Sequence, residues 1–408
     1  MSMEIIKEAI SRPTIFKNEG PLSIEYIPTR LPHRENQLRF LAQLFRFTLE
    51  RPESMNQRVL ITGSIGTGKT VMSQRFGLDL MKTAKSRKIN LRYIHVNCRE
   101  CRGSLFMILK RVITEFTPEF PQRGFSSEEL IQILMDILDD KDAYVILALD
   151  ELESLIRAEG SAALYNLTRI QENRLGAPMR LSLICILREP EYLQDLDPST
   201  LSTLQQNFIQ LERYSSNQLE AILKDRIELA FKEEAVPQDT AKFICDLAAA
   251  SGDARYAIEL LWRAGKYADA ENTREMTAEH IRRAAGTVYP TLRGEYVQTL
   301  SLHEKFLLLA ISRLLERTAT AYISMGEAEK VYKIVCEEYR QLPRAHTQLW
   351  KYMGGLDASG IISTKKSGKG LRGKTTLIGL TLTPASAMTK WLESTLEVLY
   401  KRVSTRAD

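Results

Sequence analysis

The run RVLITGSIGTGKT, residues 58–70, constrains this chain more than any other stretch. It satisfies G-x-x-x-x-G-K-[ST], the phosphate-binding loop pattern. The pattern has physical force only in context. A strand must deliver the chain to the glycines, and a helix must begin at the Lys, so that loop N–H groups and the helix N-terminus point at an anion. Val59-Leu60-Ile61 reads as that strand, and VMSQRFGLDLMKTAKS as that helix, with Val71, Phe76, Leu78 and Leu80 at helical spacing. Gly63, Gly66 and Gly68 then let the backbone wrap phosphates, with Ser64, Ile65 and Thr67 between them. Lys69 meets the β and γ phosphates, and the Thr70 hydroxyl holds Mg²⁺. The expected cofactor is ATP or ADP with Mg²⁺.

A second match, SGKGLRGKTT at 367–376, lacks that context. TTLIGLTLT follows it, which is β-branched and extended, so no helix N-terminus faces the glycines. Lys365, Lys366, Lys369, Arg372 and Lys374 crowd this segment without an acid. It reads as a basic loop between two strands, either a solvated hairpin tip or a nucleic-acid wing.

A real phosphate loop needs an acidic strand. AYVILALDE at 143–151 supplies one: an apolar run into Asp150, then Glu151. Asp150 orients Mg²⁺, and Glu151 is the candidate catalytic residue that polarises the attacking water. LRYIHVNC, LSLICIL and NFIQL read as further strands separated by helical patterns, which predicts a parallel sheet covered on both faces. Ser126 and Glu129 have capping-box spacing. From Ser216 to about Gly286 all reads helical. Arg255, in Gly252-Asp253-Ala254-Arg255, stands at a helix start, where it is a surface residue or a phosphate contact.

With 408 residues the chain exceeds one core. The expected divisions are an N-terminal segment (1–20), a nucleotide-binding core (21–213), a helical lid (214–290) and a C-terminal domain (295–408). A formal charge of +5 permits a nucleic-acid partner without demanding one. No apolar run spans a bilayer, so no membrane partner is expected. Five scattered cysteines suit a reducing cytoplasm, and the Cys98/Cys101 pair lacks a second ligand pair for zinc.

In the C-terminal domain, 301–317 and 323–342 read as amphipathic helices, and a third opens at Pro343. On the third, Arg344, Thr347, Gln348 and Lys351 are spaced to share one acid-free face, with Leu349, Met353 and Leu356 on another. Three helices, a strand, a basic loop and a strand make a winged helix-turn-helix. Such domains also bind proteins, but the basic wing and acid-free face favour the major groove and backbone of double-stranded DNA.

This order resembles the archaeal replication initiators of the origin-recognition and cell-division-control type. The fold implied is α/β: an AAA+ P-loop sandwich with a parallel sheet, an all-helical lid and a C-terminal winged helix. The resemblance implies that Tyr26-Ile27-Pro28 and Leu31-Pro32-His33-Arg34-Glu35 form a box against the adenine. It makes Arg255 a sensor-two residue and puts residues near 104–123 close to DNA. It also implies origin DNA, paralogous initiators on adjacent sites and the replicative helicase as partners. Two positions depart from the family: Arg188 stands where a first-sensor Asn is usual, and Ser199 replaces an Arg in Asp-Pro-Arg. These departures predict nucleotide binding with very slow hydrolysis, as in a divergent paralogue. The alternatives are an active AAA+ DNA motor, or a winged-helix transcription regulator with a nucleotide domain.

Overall fold

The structure, a computed structural model, describes Lys7 and residues 13–121, 124–170, 174, 176–204, 207–288, 297, 299–366, 375–381 and 383–404. Two units form. One is Glu25–Gln218 with Ser251–Ala254; the other is Met1–Ile24, Leu219–Ala250 and Arg255–Asp408.

In the first unit five parallel strands form one sheet: β1 (Arg58–Thr62), β2 (Leu91–Asn97), β3 (Tyr144–Asp150), β4 (Leu181–Leu187) and β5 (Phe208–Gln210). Their order is β2-β3-β4-β1-β5. Alternation explains the two-sided core. Val145, Leu147 and Leu149 of β3 join one buried cluster, with Leu183, Cys185 and Leu187 of β4. Tyr144, Ile146 and Ala148 join the other, with Ile184 and Ile186. Because successive side chains point to opposite faces, strands buried on both faces read as continuous apolar runs. Cys98 and Cys101 pack in the first cluster.

Helix α1 (Glu35–Leu44) and α2 (Arg46–Glu50) precede β1, and α3 (Lys69–Ser86) follows it. The buried stripe of α3 is Met72, Phe76, Leu80 and Ala84, a strict i, i+4 row; Val71 and Leu78 are half-buried. Phe76 and Leu80 of the expected set lie on this stripe, and Met72 and Ala84 complete it in place of Val71 and Leu78. Between β2 and β3 lie α4 (Leu105–Thr114) and α5 (Ser127–Asp140), the latter opened by the expected Ser126/Glu129 capping box. Helix α6 (Glu153–Arg169) leads toward β4, and α7 (Pro198–Leu204) toward β5.

The second unit holds the lid and the C-terminal domain together. The lid comprises α8 (Ser216–Ala230), α9 (Gln238–Ala249), α10 (Ala254–Ala270) and α11 (Ala278–Val288). An N-terminal strip is sewn into it. Phe16 bridges Phe231 with ring centroids 4.7 Å apart, the Ile15 amide donates to Asp269 at 2.8 Å, and Glu19 accepts from Trp262 at 2.9 Å.

The C-terminal domain runs α12 (Leu302–Thr318), β6 (Ile323–Ser324), α13 (Met325–Glu338), α14 (His346–Ala358), β7 (Ile362–Lys366), β8 (Thr376–Leu380) and α15 (Ala385–Ser404). Its antiparallel sheet has the order β6-β8-β7. Two sequence readings need correction. Residues 323–324 are strand, because Ser324 is the extended N-cap of α13 and pairs with Leu377. The third helix opens at His346, because Ala345 is extended (φ −64°, ψ 153°). Arg344 therefore precedes the helix and does not share its face with Thr347 and Lys351. Lid and C-terminal domain meet at Arg282, which is wholly buried: it pairs with Glu279 at 3.2 Å and donates to the carbonyls of Thr320 and Ala321 at 2.9 and 3.0 Å.

Candidate functional site

The loop 63–68 leaves the C-terminal end of β1 and turns directly into α3, as the strand-loop-helix context requires. Its glycines adopt backbone that side chains avoid; at Gly66 (φ 76°) a Cβ would also come within 2.8 Å of the Asp253 Cα. The Ala254 amide donates to the Gly66 carbonyl at 3.1 Å, and the Gly252 carbonyl accepts from Tyr214 at 3.2 Å. So the Gly252-Asp253-Ala254 turn packs on the loop. The Lys69 ammonium reaches the loop carbonyls of Gly63 and Ser64 at 2.5 and 2.9 Å.

Strand β3 brings its acid to the same edge. The Thr70 hydroxyl donates to Asp150 Oδ2 at 2.6 Å. His95, from neighbouring β2, lies 3.1 Å from the same oxygen. Burial alone would raise the Asp150 carboxyl, but the bonds from His95, Thr70 and the Glu151 amide outweigh it and hold its pKa below the ordinary value. The donor set here is oxygen only. Among the described residues no group of three or more His, Cys, Asp or Glu could hold a metal by itself. One carboxylate and one hydroxyl suit Mg²⁺, which takes most of its ligands from water and phosphate.

Glu151 turns out of the strand in the left-handed region, φ 50°, a conformation that a non-glycine residue keeps only where its surroundings fix it. Its carboxylate is 2.5 Å from the Arg188 guanidinium, which also lies 3.2 Å from Glu153. The pairing follows from topology: β3 and β4 are parallel neighbours, so residues just past their C-terminal ends stand side by side.

In the proposed adenine box, Arg34 is buried and braces the loop. It donates to the Thr67 carbonyl at 2.9 Å and the Glu212 carbonyl at 3.0 Å, and lies 4.1 Å over the Tyr214 ring. Tyr26, Ile27 and Pro28 are half-buried and His33 is exposed. Arg255, the second residue of α10, is exposed. Sequence reasoning missed His95, Arg213 and Tyr214. Arg213 Nε donates to Ser64 Oγ at 3.3 Å. His95 carried no signal, because its relevance depends on β2 lying next to β3, and strand order is not readable from pattern.

On α14, Thr347 and Lys351 are exposed and Gln348 is half-buried, while Leu349, Met353 and Leu356 are buried as expected. Exposed Trp350 donates to His346 at 2.9 Å on this helix. Strands β7 and β8 pair with Lys366 opposite Thr376, so the basic segment joins two antiparallel strands and leads into a strand, not a helix. Lys369, Arg372 and Lys374 lie outside the described residues. Lys366 is exposed. Lys365 instead pairs with Asp246 of the lid at 2.6 Å and sits 3.6 Å above the Tyr322 ring.

Residues 53–191 match the family described as AAA domain, 220–286 the Cdc6 AAA+ ATPase-type lid domain, and 295–390 the CDC6, C terminal winged helix domain. The ORC1-type DNA replication protein 2 of Sulfurisphaera tokodaii is 36% identical over 93% of this chain and 92% of its own length. The ORC1-type DNA replication protein of Pyrococcus abyssi is 32% identical over 93% and 91%. Among solved structures, Cdc6p from Pyrobaculum aerophilum superposes with a TM-score of 0.82 at 31% identity, covering 93% of this chain and 98% of its own. Aeropyrum pernix ORC1 in complex with DNA gives 0.62 at 28%, covering 95% and 98%. Likeness of this extent, across all three segments in the same order, places the chain in the ORC1/Cdc6-type family of DNA replication initiators.

Proposed function

We propose that this chain is a nucleotide-controlled, double-stranded DNA-binding initiator that marks replication origins and recruits the replicative helicase. The observation that carries the nucleotide part is the Thr70–Asp150 hydrogen bond beneath a three-glycine loop. It puts a hydroxyl, a carboxylate and the Lys69 ammonium at one strand edge, as an Mg²⁺-bound triphosphate requires. Thr70 and Asp150 would hold Mg²⁺, whose charge offsets that developing on the phosphates, and His95 keeps Asp150 ionised and oriented. Tyr26, Ile27, Pro28, His33 and Arg34 would border the adenine side, and Arg255 would sense the phosphates.

The Ala254 amide, in the same unit as the loop, donates to the Gly66 carbonyl, so bound nucleotide and the Gly252-Asp253-Ala254 turn would share one loop. That supports a switch in which the bound nucleotide sets how DNA is gripped. Thr347, Gln348 and Lys351 would face DNA, with Arg344 approaching from the segment before the helix and Lys366 and the basic segment at 367–374 following the DNA backbone. The DNA complex of the Aeropyrum pernix relative supports this side of the reading. Paralogous initiators on adjacent sites are further proposed partners.

The test is to measure nucleotide stoichiometry, then to sequence sheared source-genome DNA captured by the purified protein with ATP or ADP. Nucleotide at one per chain, with enrichment at one or a few intergenic loci sharing a repeat, is expected. Enrichment spread over many promoters would point to a transcription regulator. No bound nucleotide would overturn the switch.

A further inference from the structure

A general base must be free to take a proton from the attacking water. Glu151, the residue placed to do so, is held by the Arg188 guanidinium at 2.5 Å. Three observations make this contact more than a passing surface pair. Glu151 takes φ 50°, in the left-handed region that a non-glycine residue keeps only where its surroundings fix it. Arg188 is anchored by a second carboxylate, Glu153, which is buried and whose other oxygen has no hydrogen-bond partner among the described residues. The Leu152 amide donates to the Ile186 carbonyl at 3.1 Å, which ties the two strand ends together just where the pair forms.

We infer that Arg188 is a positioning residue that keeps Glu151 out of use as general base, so that turnover is limited by release of the Glu151–Arg188 pair. The inference rests on the reading that this site binds and hydrolyses ATP. In the step concerned, water oxygen bonds to the γ-phosphorus. The bond to the β–γ bridging oxygen breaks, and its electron pair leaves with ADP. The water proton passes to the Glu151 carboxylate, then to solvent, giving ADP and inorganic phosphate. The guanidinium engages Oε1 of Glu151, so that oxygen neither orients the water nor accepts its proton while the pair holds. Arg188 thus acts by its grip on Glu151, and the chain is built to hold nucleotide longer than it hydrolyses it.

Replacing Arg188 alone would strand the buried Glu153 charge and could unfold the core. The test therefore uses Arg188→Asn together with Glu153→Gln, and the same pair with Glu151→Gln added, in the full chain. Fluorescent-nucleotide titration gives ATP and ADP affinities, phosphate release under saturating Mg²⁺-ATP gives kcat, and thermal melting checks folding. The double variant is expected to raise kcat by about ten- to a hundredfold, the scale of one charge-assisted hydrogen bond, with ATP affinity unchanged. Adding Glu151→Gln is expected to abolish that gain; a gain that survives it would not run through Glu151 and would overturn the inference. ATP bound normally with kcat unchanged or lowered in the double variant overturns the inference and leaves the nucleotide reading standing. A selective loss of ATP over ADP affinity would overturn it too, because Arg188 would then be a γ-phosphate contact. No ATP binding by the unsubstituted chain would overturn the nucleotide reading and the inference with it.

Discussion

At Lys69 one ammonium meets the two loop carbonyls at the mouth of the sheet. Lys69→Ala should weaken ATP binding by about ten- to a hundredfold, the worth of a charge-assisted bond to phosphate, read by nucleotide titration; undiminished affinity would remove Lys69 from the site. His303 gives a pH dependence. Its Nδ1 lies 2.7 Å from the Tyr332 hydroxyl, which itself accepts from the Arg344 amide. Burial first, then Arg344, lowers the His303 pKa from the ordinary 6.5. The unfolded chain thus binds a proton before the folded one does, and stability falls as pH drops below about 6.5. Melting at pH 7.5 and 5.5 should show a loss that His303→Gln reduces; equal losses would exclude this residue. Lys69 was legible because its motif is local. Asp150 was legible because an apolar run ending in acid is also local. His95 and the Arg188–Glu151 pair were not, since each joins strands distant in sequence.

At the scale of elements, periodicity located every strand of the parallel sheet within a residue or two, and it located the helix after the loop. It failed where local chemistry overrode it. Ser324 caps α13 and so converts an apparent helix start into a strand. Pro343 promised a helix that the extended Ala345 delays to His346. Helix α15 lay beyond the motif reading altogether. The delayed start sharpens a prediction for α14. Lys351, one turn below exposed Thr347, is the cation that this helix itself presents. Lys351→Ala should weaken binding to all duplex sequences alike and lower the salt slope of log affinity by about one unit if it neutralises a phosphate. A loss confined to one sequence would make it a base reader instead.

For the molecule as a whole, the sequence reads as four divisions, and most of the lid falls with the winged helix in one of the chain's two compact units. No motif announces that union, because it depends on tertiary contacts around Arg282, a residue that reads as an ordinary helix cation. Arg282→Ala leaves the Thr320 and Ala321 carbonyls without their donor and Glu279 without its cation. It should cost about 3 kcal/mol. Calorimetry of the full chain should resolve two transitions, with only one lowered, by about 6–12 °C; equal shifts in both would contradict the division. The N-terminal strip has a further consequence, one of timing. Ile15 finds its partner at Asp269, 254 residues later. At about 5–20 residues per second of synthesis, that partner is made roughly 10–50 s after the strip. The parallel sheet, complete by Gln210, can therefore close on the ribosome while Phe16 is still without Phe231. Ile15 and Phe16 thus belong to the last unit finished, and they are apolar side chains that a nascent-chain chaperone would need to shield.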